Sequence, residues 1–102
     1  MTHIQELRDV IRHLHGGKAK HLESVPVTES FQGKTIWDGI VEVFHIKGHP
    51  KTDRVYAWMH ATDDPAHPKR HVTVLHIPPI NSAKTAVQAA IVQEYKDRAS
   101  VN

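Results

Sequence analysis

Residues 36–46 constrain the chain most, because they read as a strand with two apolar faces. Strict alternation puts Trp37, Gly39, Val41, Val43 and His45 in one row, and Ile36, Asp38, Ile40, Glu42, Phe44 and Ile46 in the other. A strand with one wet face alternates apolar with polar residues, so two mostly apolar rows each require a cover. Two amphipathic helices, one near each end of the chain, are expected to pack on one face. The second face is then left to a partner subunit or a ligand.

With 102 residues there is material for one core, and a single α+β domain spanning 1–102 is expected. Hydrophobic residues at 39% and charged residues at 24% describe a globular chain, not a disordered one. Thirteen Lys and Arg against 11 Asp and Glu leave a net charge of +2, too little to imply strong non-specific binding to nucleic acid. Cysteine is absent, which removes disulfides, thiolate metal ligands and thiol catalysis and fits a reducing compartment. No apolar run approaches the roughly 20 residues of a membrane span. A charged amphipathic helix stands where a signal peptide would carry an apolar stretch, so a cytoplasmic protein with no membrane partner is expected.

Thr2 and Gln5 have the spacing of a capping box, and Ile4, Leu7, Val10, Ile11 and Leu14 then fall on one helical face. Arg12 and His13 suit the negative end of this helix, and Gly16-Gly17 can stop it. Residues 22–29 alternate as a strand, but Pro26 deprives it of a ladder donor and confines it to an edge. Gln32-Gly33-Lys34 turns the chain into the long strand ending near Ile46. Residues 54–61 and 70–77 alternate again, separated by a loop holding two prolines, and Pro78-Pro79 ends the sheet. Asn81 or Ser82 caps a second helix whose Ala83, Ala86, Val87, Ala90, Ile91 and Tyr95 recur at helical spacing. Leu7, Ile11, Val87 and Ile91 are the expected core between helices and sheet. The order α-β-β-β-β-α, with short connections, favours an antiparallel meander of three to four strands.

Without the edge strand the order becomes α-β-β-β-α, which is similar to that of double-stranded RNA-binding domains. Such domains grip phosphates with a basic first turn of their final helix, where this chain has Lys84 alone. The phrase Gly39-Ile40-Val41-Glu42-Val43-Phe44, followed by Gly48-His49-Pro50-Lys51 and Tyr56-Ala57-Trp58, resembles small bacterial proteins of the integron gene-cassette kind. That resemblance covers about the middle third of the chain. It implies a bacterial origin and a tendency to dimerise, and carries over no activity.

Ten histidines stand out: His3, His13, His15, His21, His45, His49, His60, His67, His71 and His76. The candidate metal ligands are His45 with His49, and His60, Asp63, Asp64 and His67 around one loop. Neither has helical His-x-x-x-His geometry or an HExxH motif, so solvated side chains with no metal and no cofactor are expected. Tyr56, Trp58 and His60 share one face of their strand, and Trp37 can join them. An aromatic row of this kind stacks nucleobases when exposed and forms a core, an interface or a ligand face when covered. In a meander, Lys20 with Lys18 and His21, the group Lys47, His49, Lys51 and Arg54, and the helix start at Ser82 beside Lys84 all meet at one end of the sheet. They form a candidate anion site.

No glycine-rich phosphate loop, GxSxG or paired-carboxylate motif is present, so no catalytic residue is assigned and an enzyme is not the favoured reading. The sequence is read as a small bacterial binding or interaction domain that self-associates as a homodimer through one sheet face. The alternatives are a nucleic-acid-binding module and a small hydrolase or isomerase with a cavity at the sheet.

Overall fold

Each strand pairs with its neighbour in the chain. The computed structural model describes residues 3–100, with residues 97–100 described by their backbone. Helix α1 (His3–His15) leads into strands β1 (Lys18–Phe31), β2 (Lys34–Lys47), β3 (Arg54–Ala61) and β4 (Lys69–Leu75), and helix α2 (Ala83–Ser100) closes the order. The strands form one antiparallel sheet in the order β1-β2-β3-β4. The α+β class and the meander agree with the expectation. Thr2, the expected cap of α1, lies outside the described residues.

The local chemistry explains the boundaries. Gly16, at φ 76°, donates its N–H to the Arg12 carbonyl at 3.0 Å and ends α1 in the left-handed conformation that favours glycine. At Gly17 a side chain would meet the Lys47 carbonyl oxygen at 2.7 Å, so only glycine lets β1 begin against the end of β2. Gln32 and Gly33, with φ of 52° and 78°, form the two-residue hairpin turn whose twist matches its strands. β1 is an edge strand, as Pro26 requires, but runs further in both directions than residues 22–29, with register shifts at His21/Glu23 and Glu29/Ser30. At α2 the cap is Ser82. Its Oγ accepts the Thr85 N–H at 3.2 Å, while Thr85 Oγ1 accepts the N–H groups of Asn81 and Ser82 at 3.0 Å each.

The helices lie on opposite faces of the sheet, which corrects the expectation that both pack on one. Val41, Val43, Tyr56 and Trp58 point to α2 and pack with Ala83, Ala86 and Val87. Phe44, Ile46, Val55 and Ala57, at the intervening positions, point to α1 and pack with Leu7 and Ile11. Both rows of β2 are apolar, so each takes a helix as its cover, and the centre of the sheet needs no partner chain. Leu7, Ile11 and Val87 are fully buried, as expected, whereas Ile91 is partly buried. The ends of the two helical stripes escape the core: Leu14 is 58% and Tyr95 69% exposed. On the α1 side the far half of the β1–β2 hairpin stays open, with Ile36 and Ile40 about half exposed in the row of Phe44.

Candidate functional site

Alternation along β2, β3 and β4 places Trp37, Trp58, His60, Arg70, Val72 and Val74 on the α2 face. With Ala90, Ile91 and Glu94 of α2 they line a cavity of about 270 Å³ between helix and sheet. Small side chains create it: Ala89 and Ala90 stand where larger residues would fill the gap. The two indoles meet edge to face, with ring centroids 5.6 Å apart and planes at 77°. Trp58 is buried, and Trp37 lies over Gly39, where a side chain would press on the indole at 3.2 Å. The mouth is polar. Arg70 and His60 are cross-strand partners, and Arg70 reaches Glu94 of α2 at 3.5 Å.

Three of the four residues expected on a ligand or interface face, Trp37, Trp58 and His60, thus surround one cavity. The fourth departs. Tyr56 is buried, and its hydroxyl meets His76 Nδ1 at 2.6 Å. Burial pushes its phenol pKa up against the opposing influence of Arg54. The row is covered by α2 and does not form an open platform for bases.

The basic residues expected at one end do collect there, in two groups. Lys20, His45 and Arg54 are successive cross-strand partners, and Lys47 faces Lys18 beside the loop carrying His49 and Lys51. Arg54 and Ser82 line a groove of about 430 Å³ with Tyr56, Lys84 and Glu23; Lys20, Lys47, His49 and Lys51 are not among its lining residues. The Ser82 hydroxyl is already engaged as the α2 cap, and Glu23 brings a carboxylate into the groove. Both features work against an anion.

A third arrangement was not anticipated. Glu42, with a side chain only 3% exposed, lies on the α1 side of β2. Its Oε1 accepts from Ser24 and from His21 Nε2 at 2.9 Å, and its Oε2 from His3 Nε2 at 2.9 Å. Burial by itself would raise the carboxyl pKa, but the hydrogen bonds from Ser24, His3 and His21 together outweigh it and hold the group below its ordinary value. Glu42 is therefore an ionised tie between α1, β1 and β2. Ser24 Oγ lies 3.5 Å from the same His21 nitrogen that meets Glu42, so the three do not form a relay in which the imidazole separates hydroxyl from carboxylate.

None of the ten histidines is buried and half are exposed, but several make defined contacts. Besides His3 and His21, His15 Nε2 meets Thr73 Oγ1 at 3.0 Å and its ring packs 6.1 Å from that of His49. The two metal proposals are not assembled: His45 pairs with Lys20 and Arg54 while His49 lies against His15, and in the second loop His67 meets Asp64 at 3.2 Å while His60 turns to the Ala61 carbonyl. Among the described residues no three His, Asp or Glu side chains are placed to hold a metal ion.

Fold and site together define a four-stranded antiparallel sheet with a helix on either face and an aromatic cavity between layers. No family model, curated protein or solved structure matches the chain. No described helix is long and apolar enough to cross a membrane.

Proposed function

We propose that this is a binding domain whose ligand occupies the cavity between α2 and the sheet. The observation that carries the reading is a cavity of about 270 Å³ walled by both tryptophans of the chain. Binding sites are typically concave, mostly apolar and furnished with a few polar groups, and this volume sits just below the roughly 300 Å³ at which sites for drug-sized molecules begin. A compound of one or two rings is the right scale. Because no tryptophan lies elsewhere, the two indole N–H signals report occupancy directly. Cinnamyl alcohol or cinnamate should shift both signals in an amide-correlation NMR spectrum, and Ala90→Leu, which fills the cavity from the helix side, should remove the shift while the protein stays folded. Unmoved indole signals at millimolar concentrations of both compounds would end this reading.

A second reading, self-association as a homodimer, is favoured by the half-exposed Ile36 and Ile40 and by Phe31, 63% exposed, at the tip of the same hairpin. It places the interface on the open α1 side of the hairpin and not on a whole sheet face. The cysteine-free composition and the cassette-like phrases of β2 and β3 support a bacterial, cytoplasmic setting.

A further inference from the structure

Resting on the cavity reading above, we infer that the ligand is a flat aromatic acid: its ring lies in the slot against Trp37 and Trp58, and its carboxylate meets Arg70 at the mouth.

The walls favour a ring. The edge-to-face indole pair presents aromatic surface to the cavity, where a third ring can add stacked or edge contacts of the same kind. Val72, Val74 and Ile91 provide the remaining apolar contact.

The mouth favours an anion. Arg70 carries five N–H donors, and its ion pair in the structure is a single contact to Glu94 at 3.5 Å, long for a charge-assisted bond. Its side chain is half exposed, as is that of Glu94 at 40%, so a ligand carboxylate can take the guanidinium in a two-point contact while Glu94 returns to water cheaply. His60 stands beside Arg70 on the neighbouring strand. Its Nδ1 donates to the Ala61 carbonyl at 3.2 Å, so Nε2 adds a second contact to the acid when the ring is doubly protonated. Arginine and histidine are held on paired strands, whereas the one carboxylate opposing them sits on α2.

The test compares cinnamate, cinnamyl alcohol and hexanoate by the same indole signals at low and moderate salt. Cinnamate should bind about tenfold more tightly than the alcohol, the gain of one charge-assisted contact, and the difference should shrink as salt rises. Arg70→Gln should abolish the difference between cinnamate and the alcohol, while Glu94→Gln should strengthen cinnamate several-fold. Equal binding of acid and alcohol, with Arg70→Gln silent, overturns the acid assignment and leaves the cavity reading standing. Hexanoate binding as well as cinnamate overturns the aromatic assignment. If none of the three compounds moves either indole signal, the cavity reading itself fails and this inference with it.

Discussion

Glu42→Gln isolates the charge at the centre of the α1 side. Three donors converge on the carboxylate, Ser24 and His21 on one oxygen and His3 on the other. Glutamine keeps an acceptor over Ser24 and His21 and turns its amide N–H groups toward His3, whose imidazole must then accept. Hydrogen bonds to a charged group contribute about 1.5–3 kcal/mol, against about 0.5–1.5 for neutral ones, so two weakened bonds represent roughly 2–3 kcal/mol. Relief from burying a carboxylate returns part of this, and His3, half exposed, recovers water, leaving a net loss of about 1–2 kcal/mol at pH 7. In a chain of this length each kcal/mol lowers Tm by about 4–8 °C. The pH dependence gives the sharper signature. Because the folded carboxyl titrates below its ordinary value, the unfolded chain binds more protons in between; the stabilisation is complete above about pH 4.3 and is lost as pH falls through the lower folded value. Urea unfolding followed by far-ultraviolet circular dichroism from pH 7 to pH 3 should show wild type and variant converging in acid. A difference between them that stays constant over that range would refute an ionised Glu42.

The core assignment predicts that Ile11→Ala and Val87→Ala each cost stability measurable by denaturant, up to about 2–5 kcal/mol for the isoleucine, with Ile91→Ala milder because that side chain is only partly buried. Gly17→Ala should force β1 away from Ile46 and the Lys47 carbonyl and cost about 1–3 kcal/mol; an unchanged Tm would show that the corner has slack. Burial, and then the charge of His49, hold the His15 imidazole below its ordinary pKa, so the fold loses stability as pH falls through about 6.5. His15→Gln should flatten that slope between pH 7 and pH 5, and an unaltered slope would assign it to another group. Replacing Ile36 and Ile40 together by lysine should shift stability by no more than about 0.5 kcal/mol per site yet abolish any dimer seen by light scattering. A dimer that persists rules the hairpin out as the interface.

The elements were legible because their signals are local. The stripe of Leu7 and Ile11, the Gly16-Gly17 stop, the Gln32-Gly33 turn and the edge position imposed by Pro26 each follow from a few adjacent residues. The side on which each helix packs was not legible, since two apolar rows accept both helices together or one apiece, and no residue marks the sense of the corner at Gly17. The cavity was half visible: alternation brings Trp58 and His60 to one face and Trp37 with them, but Arg70, Ala90 and Glu94 arrive only through the pairing of β4 and the docking of α2. Glu42 is one of two carboxylates, with Asp38, in an otherwise apolar row, and nothing local sets it apart. Its partners His3 and His21 lie 39 and 21 residues away, a separation that no spacing rule reaches.

A strand that is mostly apolar on both sides loses much of the usual safeguard of its register, because a slip by one residue exchanges one largely apolar row for another. Here bulk replaces polarity as the safeguard. Facing α2, the modest Val41 and Val43 neighbour the large Tyr56 and Trp58 beneath the alanines of the helix; facing α1, the large Phe44 and Ile46 neighbour Val55 and Ala57 beneath Leu7 and Ile11. Sliding β3 by one position would crowd four large side chains under leucine and isoleucine on one side and leave valines and alanine facing alanines across a void on the other. Overpacking and voids are each costly in a close-packed interior, so one misalignment is penalised twice. The pairing of these central strands is thus secured by steric size in a sequence whose hydropathy alone would leave it ambiguous.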